Sequence, residues 1–390
     1  MQTEVAYVEE PGVEDRFSSR GNIKVEEVTL DDPKKDEVLI DVKAVGVCHS
    51  DWHVASGDMP TEHYPCALGH EGAGIVEEVG DAVTHVEAGD RVVLSWIPSC
   101  GKCRFCTAGH QEMCTRGQQV LAGTMPDGTF RMHKDDGTDV GQFAFLGCYA
   151  EHIVTHGDSV TSIEEFPDVP WEVAAVTGCA AATGFGAAVN RADIEPGDTV
   201  VHFGLGGVGA AAVQGSRRES ADQIVVVDPS EYKREKASEF GATHTVDPEE
   251  TDPMEFVDSI TNGRMADVAI FTGSIGTPEA LGEAYSTTKS MGQLVSVSNN
   301  PADATRIDLP EKAGGTLMFT FGERDITGTL YGGWGPNLAV PTLLEQYESG
   351  NLQLGEEGGY LTASYSLDEI NEAYNDMIET NNIRGYIDLS

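Results

Sequence analysis

The stretch TVVHFGLGGVG at 199–209 joins an apolar strand pattern to a glycine turn and the start of a helix, a junction that few folds accommodate. Further short apolar strands follow as QIVVVD (223–228), MADVAIFTG (265–273) and GQLVSVS (292–298), and the helical segment EYKREKASEF separates the first two. Strands alternating with helices cannot pair as hairpins. Each connection must cross a face of the sheet, so the expected fold class is α/β with a parallel, doubly wound sheet.

The turn itself, Gly204-Leu-Gly206-Gly207-Val208-Gly209, is a G-x-G-x-x-G. Its glycines permit a tight turn, close approach of backbone to a pyrophosphate, and close packing of helix on strand. The helix N-terminus adds free N–H groups and a positive dipole end. Asp228 closes the next strand, where a carboxylate accepts hydrogen bonds from the adenosine ribose and repels a 2′-phosphate. That favours NAD over NADP. The plainer alternative for Asp228 is a cap on the helix that begins PSEYKREK. Lys233 is placed to add a ribose contact.

Ahead of this region the texture is β-rich. EVLIDVKAVGVC (37–48), GAGIVEEVG (72–80) and GDRVVLSWIP (89–98) read as short strands bounded by Gly and Asp. With 390 residues the chain is longer than a single core usually supports, so two domains are expected. The start, MQTEVAYVEEPG, lacks the pattern of a secretory signal, and the most apolar window, 173–189, is too broken by Gly, Ala and Thr to span a bilayer. A cytoplasmic, membrane-free protein is therefore expected.

Sixty-five acidic residues against 24 basic ones give a net charge of −41. Such a surface repels phosphate backbones and excludes nucleic acid as a partner. The carboxylates are spread along the chain rather than massed in a tail, which reads as adaptation to molar salt, as in a halophile.

CGKCRFCTAGHQEMC (100–114) packs Cys100, Cys103, Cys106 and Cys114 into fifteen residues. Two disulfides or one metal ion held by four thiolates would both explain it, and a reducing compartment counts against disulfides. Cys48, His70 and Cys179 lie elsewhere. Two sulfurs and one nitrogen are donors of the type a catalytic zinc takes, but each alone is more often a buried packing residue, and only wider context can join them.

These motifs, GHEGAG, the four-cysteine cluster, GLGGVG and Cys179, together resemble zinc-dependent medium-chain alcohol dehydrogenases over essentially the whole chain. PDGTFRMH (126–133) and DPSEYKREKA look most similar to the nitrosoaniline-dependent branch, close to the thiol-dependent formaldehyde dehydrogenases. The resemblance implies a GroES-like catalytic domain over 1–180, with a structural zinc lobe at 95–116, rejoined by 331–390, and a Rossmann NAD-binding domain over 181–330. It implies two Zn²⁺ per chain, one on Cys100, Cys103, Cys106 and Cys114, the other on Cys48, His70 and Cys179. Glu71 matches a carboxylate that approaches the metal during ligand exchange, and Asp51 one that orients the ligand histidine. Ser50 and His53 match a proton relay to solvent. His49 and Arg384 match pyrophosphate contacts, with His49 a weaker grip than arginine, which favours dissociable NAD. Trp52, Phe145 and the 331–337 loop are expected to wall the substrate pocket, with Cys148 beside it. The implied reaction is hydride transfer between NAD and a primary alcohol or its aldehyde. A thiol adduct of formaldehyde is the alternative substrate, and a catalytically silent zinc and nucleotide-binding protein the alternative of another class. The segment between Cys114 and Phe145 is similar to that of dimeric relatives, so a homo-oligomer, dimer before tetramer, is expected.

Overall fold

The computed structural model describes residues 1–12, 22–298, 306–311 and 314–390. It divides into two compact units, one of Met1–Ala180, Trp334–Glu356 and Leu361–Ser390, the other of Ala181–Gly333 with Glu357–Tyr360. The second unit thus reclaims a short piece of the C-terminal part. Tyr360 is wholly buried there, its ring edge-on to Phe240 with centroids 6.5 Å apart.

Among the described residues the first unit contains a closed barrel of five strands and a second sheet of seven. The long strand Glu37–Gly46 is central to that sheet, pairing antiparallel with Glu71–Val79, His152–His156 and Gly385–Asp388. Its alternating pattern puts Val38, Ile40 and Val42 into the core. This arrangement positions the candidate site, because Cys48 lies just beyond the end of one strand and His70 just before the start of its neighbour.

The second unit carries six parallel strands in the order His244–Val246, Gln223–Val227, Thr199–Phe203, Ala266–Phe271, Thr288–Ser296, Asp325–Gly328. Numbered along the chain this is 3-2-1-4-5-6, the order in which a dinucleotide binds at the carboxyl ends of the strands where the winding reverses. Buried on both faces, the strands Gln223–Val227, Thr199–Phe203 and Ala266–Phe271 are rich in Val, Ile, Ala and Phe. His202 is the exception in the strand Thr199–Phe203: it is fully buried, with Nε2 3.0 Å from Ser216 Oγ. No single helix among the described residues is long and apolar enough to cross a membrane. The apolar 173–189 window is divided between the helices Trp171–Thr177 and Ala180–Gly186 and the turn that follows.

Candidate active site

The helix His49–Ser56 begins directly after Cys48, whose extended backbone occupies the N-cap position. His70 follows Gly69, which has φ +92°; a Cβ there would meet Tyr149 N at 2.6 Å, so only glycine turns the chain at this point. Cys179 sits in the break between the helices Trp171–Thr177 and Ala180–Gly186. Three elements thereby converge: one ligand atom each from Cys48, His70 and Cys179 lies within 4.8 Å of the others, and all three residues are buried.

The surroundings are those of a cation site. Asp51, wholly buried, accepts from Gly69 N at 2.7 Å through Oδ1 and holds Oδ2 2.9 Å from His70 Nδ1. Both ring nitrogens of His70 are buried without a hydrogen bond of good geometry among the described residues, although Nδ1 lies 2.9 Å from Asp51 Oδ2. Burial opposes charge on this imidazole, yet Asp51 and the Cys48 thiolate outweigh it and lift its pKa to about 10. A hydrogen bond from Cys179, with help from Arg384 and His70, pulls the Cys48 thiol well below its ordinary range against the cost of burial. The same bond, together with burial, pushes Cys179 up. One sulfur is thus ready as a thiolate, and a divalent ion would displace the remaining protons. The donor set fits a zinc ion with a fourth position left open.

The other residues expected around this cluster have the following neighbours. Glu71 is not one of the converging donors. Its Oε2 accepts from Ala180 N at 2.9 Å, beside Cys179, and its other oxygen forms an ion pair with Arg384. Arg384, expected on pyrophosphate, is buried against that carboxylate. His53, expected to open on solvent, is only 2% exposed; its Nδ1 lies 3.4 Å from Oδ2 of Asp58, which is half exposed. Ser50 Oγ lies 3.9 Å from Cys48 Sγ, and His49 is half-buried in the first turn of the same helix. Phe145 is wholly buried, and the ring set edge-on to His70 is instead Phe143, at 5.4 Å between centroids. Trp52 is partly buried and packs edge-on against His53. Cys148 is a core residue whose thiol is pushed well up by burial, as Cys66 is to about 12.

The lobe around residues 100–114 has little apolar core of its own: short 3₁₀ turns at Cys106–Ala108 and Gln111–Met113 wrap the four sulfurs. Cys100, Cys103, Cys106 and Cys114 each present a sulfur within 4.8 Å of the rest, and none of the eight cysteines forms a disulfide. Backbone N–H groups of Cys106 and Thr115 aim at Cys103 Sγ and pull its thiol down to about 5. N–H donors directed at sulfur stabilise thiolate, the form a metal takes.

In the second unit the strand Thr199–Phe203 ends at Gly204, at φ +94°. A Cβ on Gly209 would meet Gly204 O at 2.1 Å, so the helix Gly207–Arg218 packs on the turn only because that position has no side chain. Gly206 caps this helix without a side-chain hydrogen bond, and Gly207, Val208 and Gly209 form the first turn, whose N–H groups are the natural anion donors. Asp228 is buried, with Oδ2 accepting from Leu205 N at 2.8 Å and Oδ1 from Ser230 N at 2.9 Å. The cap of the next helix is Ser230, not Asp228. Asp228 therefore ties the glycine turn to the end of the neighbouring strand. Lys233 is nearly buried, its pKa lowered by burial against the attraction of Asp228.

No local pattern pointed to Asp58, Phe143, Tyr149 or Tyr374, whose roles depend on neighbours distant along the chain.

Residues 34–165 match the alcohol dehydrogenase GroES-like domain, and residues 207–349 match the zinc-binding dehydrogenase family. Alcohol dehydrogenase B of Mycobacterium tuberculosis is 41% identical over 366 residues, covering 93% of this chain and 94% of that one. The NDMA-dependent alcohol dehydrogenase of Amycolatopsis methanolica is 38% identical, covering 93% of this chain and 95% of its own length. The S-(hydroxymethyl)glutathione dehydrogenase of Saccharomyces cerevisiae is 35% identical, covering 93% and 92%. Among solved structures, benzyl alcohol dehydrogenase from Acinetobacter calcoaceticus superposes with a TM-score of 0.87 at 26% identity, covering all of both chains.

Proposed function

Because the chain belongs to the zinc-dependent medium-chain alcohol dehydrogenase family, we propose that it moves hydride between a primary alcohol, or the corresponding aldehyde, and NAD. The observation that carries the reading is the buried trio of Cys48, His70 and Cys179, with Asp51 Oδ2 set 2.9 Å from His70 Nδ1. These residues would hold a zinc ion, and Cys100, Cys103, Cys106 and Cys114 a second one. Bound zinc supplies Lewis-acid polarisation of the substrate oxygen.

The chain's own residues do the rest. Ser50 would carry the alcohol proton by way of the cofactor ribose toward His53, whose Nδ1 lies 3.4 Å from Asp58 Oδ2. Phe143 keeps one side of His70 dry. The first-turn N–H groups at Gly206, Gly207, Val208 and Gly209 take the pyrophosphate, and Asp228 with Lys233 faces the ribose. His49 adds a pyrophosphate contact weaker than a guanidinium, so the NAD dissociates each turnover. Arg384 is a second pyrophosphate contact, and Glu71, its ion-pair partner, is the carboxylate that would approach the metal during ligand exchange. Residues 1–180 with 331–390 serve as the catalytic domain and 181–330 as the nucleotide domain. The protein works in the cytoplasm as a homo-oligomer, a dimer before a tetramer, in a salt-rich interior suited to its charge of −41.

One second reading has a specific support, the similarity to the yeast S-(hydroxymethyl)glutathione dehydrogenase: oxidation of a thiol adduct of formaldehyde. The deciding experiment is NAD reduction in molar salt with a panel of primary alcohols, and with formaldehyde in the presence and absence of a small thiol. Turnover of simple alcohols supports the main reading. Turnover that requires both thiol and formaldehyde supports the second. No turnover by enzyme carrying two zinc ions per chain would leave a silent zinc and nucleotide-binding protein.

A further inference from the structure

Behind Asp51 lies a polar arrangement that the hydride-transfer chemistry does not use. Tyr149 and Tyr374 are both wholly buried, and each ends in a hydroxyl deep in an apolar core. The single proton of Tyr149 OH has two acceptors in reach, Gly46 O at 2.9 Å and Asp51 Oδ2 at 3.4 Å, the latter being the oxygen that also faces His70 Nδ1. Tyr374 OH donates in turn to Tyr149 OH at 3.2 Å, their rings meeting edge-on at 6.3 Å. The backbone of Tyr149 is engaged as well: its N–H donates to Leu68 O at 3.0 Å, while Cys148 N donates to Gly69 O at 3.0 Å. Tyr149 therefore touches the chain just before Cys48, the carboxylate behind His70, and the turn that delivers His70.

Buried hydroxyls are costly unless they are paired, and here Tyr374 OH donates to Tyr149 OH, which has acceptors of its own in reach. Burial, reinforced by the charge of Asp51, keeps both phenols far above their ordinary pKa, so both remain donors. Gly69 N holds one oxygen of Asp51, and the single Tyr149 proton, within reach of both Gly46 O and the other Asp51 oxygen, limits rotation of the carboxylate. The imidazole it orients is held to one tautomer and one ring angle, and groups that orient a metal-binding histidine this way commonly change metal affinity by ~10- to 100-fold when removed.

We infer that Tyr149, backed by Tyr374 from the C-terminal helix Ile370–Ile378, is a positioning residue for the metal held by Cys48, His70 and Cys179. The C-terminal segment thus sets the metal affinity of a site to which it contributes no ligand. The inference rests on the zinc reading of that trio.

The test uses the full chain with both metal sites loaded. For wild type, Tyr149→Phe, Tyr374→Phe and the double variant, zinc affinity at each site is measured by competition with a chelator, and the visible spectrum is recorded after cobalt replaces zinc. Each substitution removes a single oxygen. Tyr149→Phe should weaken the three-ligand site by about tenfold and shift its cobalt bands, with the four-thiolate site unchanged as internal control. Tyr374→Phe should do the same to a smaller degree and add little in the double variant, because it acts through Tyr149. If Tyr149→Phe does not fold, Tyr374→Phe alone still decides the matter. Affinity within twofold of wild type and an unmoved spectrum would overturn the inference, even if thermal stability fell. Wild type that binds no metal at Cys48, His70 and Cys179 would instead overturn the zinc reading on which it stands.

Discussion

Replacing Asp228 should reveal two separable functions of one carboxylate. Its charge is expected to repel the 2′-phosphate of NADP, and its two oxygens hold Leu205 N at 2.8 Å and Ser230 N at 2.9 Å. Two unit charges about 4 Å apart at an effective dielectric near 20 repel by about 4 kcal/mol. Molar salt screens exposed charges to within ~3 Å, but Asp228 is only 4% exposed, so much of that repulsion should survive. A tenfold preference needs only about 1.4 kcal/mol. Asp228→Asn should therefore narrow the ratio of kcat/KM for NAD over NADP by at least roughly tenfold. Asparagine has one carbonyl oxygen, so one of the two N–H groups loses its acceptor at about 1–3 kcal/mol, whereas Asp228→Gly strips both and should cost about twice that. Initial rates with each dinucleotide measure the first effect, and guanidinium unfolding measures the second. An Asp228→Asn enzyme that turns over both dinucleotides in the wild-type ratio would refute the charge argument and move specificity to the Lys233 and Arg234 pair.

Two further substitutions separate the metal sites: Cys103→Ser should lower thermal stability before it affects chemistry, whereas Cys48→Ser should abolish turnover with little unfolding. Metal analysis should find two zinc ions per chain in the wild type and one in each variant, and a single zinc in the wild type would defeat the assignment. His202 offers a test of pH dependence, since burial drives its pKa down to about 3 while the unfolded chain titrates near 6.5. Below ~6.5 the unfolded state takes up a proton that the folded state refuses, so this residue removes stability as pH falls toward 3, by about 2 kcal/mol at pH 5. His202→Gln should flatten the unfolding free energy by that amount relative to wild type, and parallel curves from pH 8 to pH 5 would show that the burial argument is wrong.

Short-range features could be read directly from the residues. The glycine turn at 204–209, the strand and helix alternation around it, and the four cysteines at 100–114 are each complete within a few turns of chain. Local periodicity, φ preference and ligand spacing therefore sufficed to identify them. Asp228 was legible only in part. Its place at a strand end carried the ribose expectation, but that both its oxygens hold backbone N–H groups follows from where the parallel sheet sets Gly204 against Val227. The trio of Cys48, His70 and Cys179 was recognised through family resemblance, because its members come from a strand end, a glycine turn and a helix break that nothing local connects.

What tertiary structure alone decided is how charge is balanced around that trio. Glu71 and Arg384 both carry the right chemistry for other tasks, and only the pairing of the strand Glu37–Gly46 with both Glu71–Val79 and Gly385–Asp388 brings them face to face. Tyr149 stands 98 residues from Asp51 and 225 from Tyr374, so no sequence window contains the hydroxyl chain they form. Sequence determined which groups could bind a metal or a phosphate, since that is a property of side chains and backbone turns. Packing determined which of them are desolvated together, and in a low-dielectric interior desolvation decides whether a carboxylate binds a metal, pairs with a guanidinium or orients a histidine.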